Sequence, residues 1–163
     1  MYRDKSLLLL LLFVLSPLSW ALSSDKDQPV NIEADSVDID EAQETAIYRG
    51  NVILTQGSIN LKANRVVVHN FQSDNARIVA TGKPVSFSQK QDKNEGTIKG
   101  KANKTEYGIN SARLVLTGNA SLVKGKNTFK NDRIIYDREK AVVKAGASAQ
   151  GNQRVRITIG GKK

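Results

Sequence analysis

The sequence predicts an all-β chain of about fifteen short strands, built from one multi-strand unit used twice. Three observations predict it. Runs of β-branched and aliphatic residues alternate with polar ones, turn residues bound the runs at about 8- to 10-residue spacing, and no stretch after Val30 has the period of a helix. A phrase also recurs: Gly50-Asn51-Val52-Ile53-Leu54-Thr55-Gln56-Gly57 is echoed by Gly118-Asn119-Ala120-Ser121-Leu122-Val123-Lys124-Gly125. Its flanks recur at the same offset. Ala34-Asp35 matches Ala102-Asn103, Ile39 matches Tyr107, Leu61 matches Phe129, Lys62 matches Lys130, and Arg65-Val66 matches Arg133-Ile134.

Residues 1–21 read as a cleavable signal peptide. Arg3 and Lys5 precede an apolar stretch from Leu7 to Leu15, then comes Pro17, and Ser19-Trp20-Ala21 suits signal-peptidase cleavage. The apolar stretch is too short to cross a bilayer, which takes about 20 residues. Residues 22–163 are then expected as a single exported domain. There is no cysteine, so that domain is expected to be held by its sheet and core alone.

Along this domain Val30, Ile32 and Ala34 alternate with Asn31 and Glu33, and Val37 and Ile39 alternate with Asp38 and Asp40. The first copy of the phrase reads as a strand entered through a Gly-Asn turn and left through a glycine. Leu61 and Val66 mark the next strands. Thr81-Gly82-Lys83-Pro84 reads as a turn before Val85-Ser86-Phe87-Ser88, and the polar stretch 89–95 as a loop between the copies. The second copy repeats the pattern, and Arg154 to Ile159 adds a last strand. Short turns between consecutive strands make most pairing antiparallel, which leaves a meander, sandwich, jelly roll or solenoid.

The charge is unevenly spread. The total is +9, yet residues 22–75 hold nine acidic against four basic side chains, and residues 76–163 hold six against nineteen. A basic half raises the question of nucleic acid; export and the 6% aromatic content, with no stacking motif, argue against it. No catalytic constellation is present. His69 is the only histidine, no cysteine nucleophile or phosphate-binding loop occurs, and the acidic group from Glu33 to Glu44 lacks a calcium-loop spacing. The chain is expected to be no enzyme and to need no metal or cofactor.

What remains is the inward set. By alternation it comprises Val30, Ile32, Val37, Ile39, Val52, Leu54, Ile59, Leu61, Val66, Val68, Ile78, Val85 and Phe87 in the first copy. In the second it comprises Ile98, Tyr107, Ile109, Leu114, Leu116, Leu122, Phe129, Ile134, Tyr136 and Val142. These side chains either fill a dry core or line a groove, and periodicity does not distinguish the two.

The stretches Asp27-Gln28-Pro29-Val30-Asn31-Ile32-Glu33-Ala34-Asp35, Gly50 to Gly57, Gly82-Lys83-Pro84, Leu114-Val115-Leu116-Thr117-Gly118-Asn119-Ala120 and Asp132-Arg133-Ile134-Ile135-Tyr136 resemble the LptA (OstA-like) family of periplasmic lipopolysaccharide-transport proteins. The resemblance spans nearly all of residues 22–163. It implies a twisted, open β-jelly roll with lipid acyl chains in the apolar groove. It also implies a periplasmic bridge that carries lipopolysaccharide from inner to outer membrane. The implied partners are further copies stacked head to tail, an LptC-like inner-membrane protein and the N-terminal domain of an LptD-like outer-membrane protein. The alternative left by the residues themselves is an exported structural or polysaccharide-binding β-repeat with a dry core.

Overall fold

The computed structural model describes residues 25–91 and 96–160. The expected signal peptide and residues 92–95 of the expected loop lie outside the described residues, and Gln89 and Lys90, expected in that loop, end a strand. The rest is β structure: β1 (Asn31–Glu33), β2 (Ser36–Asp40), β3 (Thr45–Gln56), β4 (Ile59–His69), β5 (Arg77–Lys90), β6 (Thr97–Gly108), β7 (Arg113–Lys124), β8 (Asn127–Asp137), β9 (Val142–Ala145) and β10 (Arg156–Thr158). All pair antiparallel in one sheet, ordered β1-β3-β4-β5-β6-β7-β8-β10, with β2 also on β3 and β9 also on β8.

Ten strands therefore replace the expected fifteen. Six of them, β3 to β8, run 11 to 14 residues because the expected breaks are bends inside strands. Gly50 and Asn51 both take positive φ, as do Gly118 and Asn119, yet the chain does not reverse there. The pairing register instead shifts between Arg49 and Val52 and between Thr117 and Ala120. Glycine and asparagine tolerate the left-handed region, so the same two residues serve a hairpin or a bulge. Thr81-Gly82-Lys83-Pro84 is likewise no turn; it lies within β5, at a shift between Thr81 and Val85. The other end of the phrase is as expected, since Gly57 and Gly125, at φ +57° and +59°, stand in the β3–β4 and β7–β8 turns.

The irregularities line up across the sheet. Asp35 stands between β1 and β2, Asn64 in β4, and Asn103 in β6. The amide N–H of Asp35 donates to the Gly50 carbonyl (3.0 Å), Asn51 Nδ2 donates to Asp35 Oδ2 (2.9 Å), and the Lys83 amide donates to Asn64 Oδ1 (3.2 Å). This polar row folds the sheet into two leaves. The first holds residues 45–49, 65–69, 77–81, 104–108, 113–117 and 133–137, with β2 and β9 at its edges. The second holds residues 52–56, 59–63, 85–90, 97–102, 120–124 and 127–131, with β1 and β10 at its edges.

The duplication is closer than the phrase alone indicates. Strands β3 and β4 map onto β7 and β8 end to end, at the offset that relates Gly50 to Gly118. By the same offset β1 and β2 together map onto β6, the Ala34-Asp35 break falling where Ala102-Asn103 bends. Strands β9 and β10 pair with β8 as the two parts of β5 pair with β4. Each end of the sheet is thus a unit strand broken in two, which leaves short edges in place of a long pairing template.

Candidate functional site

The leaves face each other, and the interior between them is built from cross-strand rows. In the second leaf one row runs Ile32, Leu54, Leu61, Phe87, Gly100, Leu122, Phe129, Ile157, from the β1 edge to the β10 edge. In the first leaf two rows run edge to edge. One is Ile39, Ala46, Val68, Ile78, Tyr107, Leu114, Tyr136, Val143; the other is Val37, Tyr48, Val66, Ala80, Thr105, Leu116, Ile134, Ala145. Gly100 shows how close the leaves come, for a Cβ there would lie 3.2 Å from Leu116 Cδ1 of the opposite leaf.

Of the residues expected to point inward, Ile59, Val68, Ile78, Val85, Ile98 and Tyr136 are in the core. Val142 is 41% exposed, because its neighbour Val143 takes the inward position of the edge strand β9. The other sixteen divide between the core, a cavity at either end and the open edge. Val52, Leu54, Leu61, Val66, Phe87, Tyr107, Leu114, Leu116, Leu122 and Ile134 are buried in one continuous core. Val30, Ile32, Ile39 and Ile109 line a cavity of about 300 Å³ at the N-terminal end, with Tyr48 and Phe71. Phe129 lines a second cavity of about 480 Å³ at the C-terminal end, beside Lys124, Lys126 and Val143. Val37 is 47% exposed, because β2 has no strand on its outer side. The large hydrophobic side chains that stand exposed among the described residues are Val37, Ile39, Val142, Val155, Ile157 and Ile159, at or beside the two sheet edges. The apolar rows therefore run from one edge to the other. The first-leaf rows end on exposed Val37 and Ile39 at the N-terminal edge and the second-leaf row on exposed Ile157 at the C-terminal edge, while Ile32, Val143 and Ala145 at their other ends are half-buried.

A polar chain crosses this interior, and alternation did not find it. Gln56 occupies the inward position after Val52 and Leu54 and is 1% exposed. Its Nε2 donates to the Gln28 carbonyl (3.0 Å), and its Oε1 accepts from the Tyr107 hydroxyl of the opposite leaf (2.9 Å). Arg138 donates to that hydroxyl and lies 5.1 Å from the Tyr107 ring centre. Burial pushes the Tyr107 phenol above its ordinary pKa, against the opposing pull of the Arg138 charge. At the other end Lys124 Nζ of the second leaf donates to the Ala141 carbonyl (2.8 Å) and lies 5.9 Å from the Tyr136 ring centre. Side chains thus tie the free rims of the leaves together at both ends. The one available signal was Gln56, a long amide in an apolar alternation. Thr105 is also inward; its hydroxyl is buried without a hydrogen-bond partner.

Titratable groups otherwise lie outside. On the outer face Glu106 accepts from Lys104 (2.7 Å) and Arg77 (3.2 Å). The Lys104 hydrogen bond is the main cause that lowers its pKa, burial opposing it. Among the described residues no group of three His, Cys, Asp or Glu is placed to hold a metal ion, and no helix is long and apolar enough to cross a membrane.

A family model described as LptA/(LptD N-terminal domain) LPS transport protein matches residues 31–142. The lipopolysaccharide export system protein LptH of Pseudomonas aeruginosa is 34% identical over 139 residues, covering 85% of this chain and 79% of LptH. The lipopolysaccharide export system protein LptA of Haemophilus influenzae is 35% identical over 158 residues, covering 95% of this chain and 89% of that protein. The crystal structure of Pseudomonas aeruginosa LptH, described as the LptA-homologous periplasmic component of a lipopolysaccharide transport device, superposes with a TM-score of 0.77 at 30% identity. It covers 85% of this chain and 100% of the LptH chain.

Proposed function

The chain belongs to the LptA/(LptD N-terminal domain) LPS transport protein family, and on that premise we propose that it binds lipopolysaccharide in the periplasm and passes it along a protein bridge between the two membranes. The observation that carries this reading is the set of apolar rows that cross the whole sheet and reach exposed side chains at each edge, Val37 and Ile39 at one and Ile157 at the other. Exposing a lipid chain to water costs about 0.8 kcal/mol per methylene, or roughly 10 kcal/mol for a chain of a dozen. A path that keeps the chains against protein removes that cost without supplying work, as suits a chain in which no nucleotide-binding motif was found.

The interior is packed shut at its centre, so acyl chains enter by parting the leaves at their rims. The cavity lined by Val30, Ile32, Phe71 and Ile109 offers the first apolar contact at the N-terminal end, and the one lined by Phe129 and Val143 offers it at the other. Copies join head to tail. The exposed β9 and β10 of one molecule meet the exposed β1 and β2 of the next, and main-chain pairing extends the rows from copy to copy. The same edges meet an LptC-like protein at the inner membrane and the N-terminal domain of an LptD-like protein at the outer one. Residues 1–21 act as the signal for export.

Photo-crosslinking tests this reading. Photoreactive residues placed at Phe71, Phe87, Ile109 and Phe129 are expected to form adducts with lipopolysaccharide, and residues placed at the outward Asn31 and Asn60 are not. Adducts from none of them, or equally from both groups, would favour an exported β-repeat with a dry core.

A further inference from the structure

The outer face of the second leaf carries a row unlike the apolar ones. From β4 to β10 it reads Lys62, Ser86, Lys101, Ser121, Lys130, Arg156. Neighbouring strands lie about 4.8 Å apart, so the cations stand one or two strand spacings from each other. Among the described residues none of the four has an ion-pair or hydrogen-bond partner, and neither does Arg154. At its C-terminal end the row runs into a cavity of about 610 Å³ beside the bend, lined by Asn119, Ser121, Lys130, Gln153, Arg154 and Arg156. Asp132 is also in its wall. Its Oδ2 accepts from the Asn152 amide (3.2 Å), while its Oδ1 is buried with no hydrogen-bond partner.

We propose that this cavity is a binding site for a phosphate-bearing saccharide. Lys130, Arg154 and Arg156 offer three unpaired cations to one anion. Arginine forks suit a phosphate, and a volume of this size lies within the range of small-ligand pockets. A bare phosphate would leave the rest of the wall unused and would meet the Asp132 carboxylate at a cost. A sugar supplies hydroxyl partners for the Asn119, Gln153 and Ser121 side chains. A flat anionic bilayer would touch Lys62 and Lys101 and could not enter the concavity. The cavity lies on the outside of the sheet at its bend, so it is separate from the apolar interior. The inference rests on the transport reading only for the source of the sugar, which would be the phosphorylated saccharide part of the cargo.

The test uses the full mature chain, labelled with ¹⁵N and titrated with glucosamine 1-phosphate. Saturable amide shifts are expected at Ser121, Lys130, Asp132 and Arg154. Lys130→Ala, Arg154→Ala and Arg156→Ala are each expected to weaken binding about tenfold. Gln153→Ala is expected to weaken glucosamine 1-phosphate while leaving inorganic phosphate unchanged. Inorganic phosphate binding as tightly as the sugar phosphate would overturn the saccharide assignment. Phosphatidylglycerol vesicles perturbing Lys62 and Lys101, with the cavity amides silent towards the sugar phosphate, would overturn it in favour of a membrane surface. Failure here is separable from failure of the transport reading. Interior lipopolysaccharide adducts that persist when glucosamine 1-phosphate does not bind overturn the cavity alone; loss of those adducts overturns the transport reading.

Discussion

The two ends of the sheet share one architecture and differ in chemistry. At the N-terminal end β1 and β2 stand on β3, and at the C-terminal end β9 and β10 stand on β8; in both the outer strand is broken at the bend. The first end exposes Glu33, Asp35, Asp38 and Asp40 and has an apolar cavity inside it. The second displays Lys130, Lys144, Arg154 and Arg156, with one cavity of mixed character and one of polar character. The shared features are those that set the backbone, the Gly-Asn bulges and the inward alternation. What diverged is on the surface, where a substitution leaves the fold intact. A duplicated unit can thus keep one cross-section throughout and still present unlike faces to the partners at its ends.

The largest effects should come from the shared core and should be equal in the two copies. Leu54 and Leu122 occupy equivalent positions and are 1% and 0% exposed. Leu54→Ala and Leu122→Ala are each expected to cost about 2–5 kcal/mol in urea unfolding. A large cost from one and none from the other would mean that the two copies do not share a core.

The bulge glycines come next, and here the copies should separate. Gly50→Ala and Gly118→Ala both force a side chain to positive φ, at about 1–3 kcal/mol. The added Cβ at Gly50 would also run into the Asp35 side chain, whereas at Gly118 it would stand 3.0 Å from Asn103 Nδ2. Thermal unfolding should therefore show the Gly50 variant to be the less stable.

Tyr107 has Ile39 as its counterpart and Gln56 has Lys124, so the chain from Gln28 through Gln56 to Arg138 joins the two copies and is not repeated. Tyr107→Phe removes the hydroxyl that donates to the buried Gln56 Oε1 and should cost about 1–2 kcal/mol. It should also change the alkaline limb. The folded pKa of Tyr107 lies above the unfolded value of about 10, so stability is full below that value and is lost as pH rises through the folded pKa. The phenylalanine variant should lose less on that limb.

The smallest effect concerns Glu106 and its counterpart Asp38, which pairs with Arg49. The folded pKa of Glu106 is lowered, so its contribution is present above the unfolded value and is lost as pH falls through the folded one. Glu106→Gln should slightly flatten the acid limb of a stability–pH profile. A steeper acid limb would contradict the assignment.

Much of this was legible in the residues, and what was not has physical causes. Alternation marked Leu54, Leu61, Leu116 and Ile134 as inward because each leaf has one buried face. It could not tell a bulge from a hairpin at Gly50-Asn51, since the local conformations are alike and only the pairing of the neighbours decides. It also counted Val37 with the interior, because burial at an edge depends on a strand that would have to come from outside. The polar cavity was not legible at all. Asp132 and Lys130 meet Arg154 and Arg156 only because the segment after β9 returns over β8, held by Asn131 Nδ2 donating to the Gln153 carbonyl (2.9 Å) and by Asn131 Oδ1 accepting from the Gly146 amide (3.1 Å).

The central claim is that the leaves part to admit acyl chains. The chain has no cysteine, so spin labels can be placed singly at Lys126→Cys, on the rim of the second leaf, and Lys140→Cys, on the rim of the first. Pulsed electron spin resonance should give one short separation in the free protein, and a longer one once lipopolysaccharide is bound at one per chain. An unchanged separation at stoichiometric binding would place the lipid outside the interior and contradict the account.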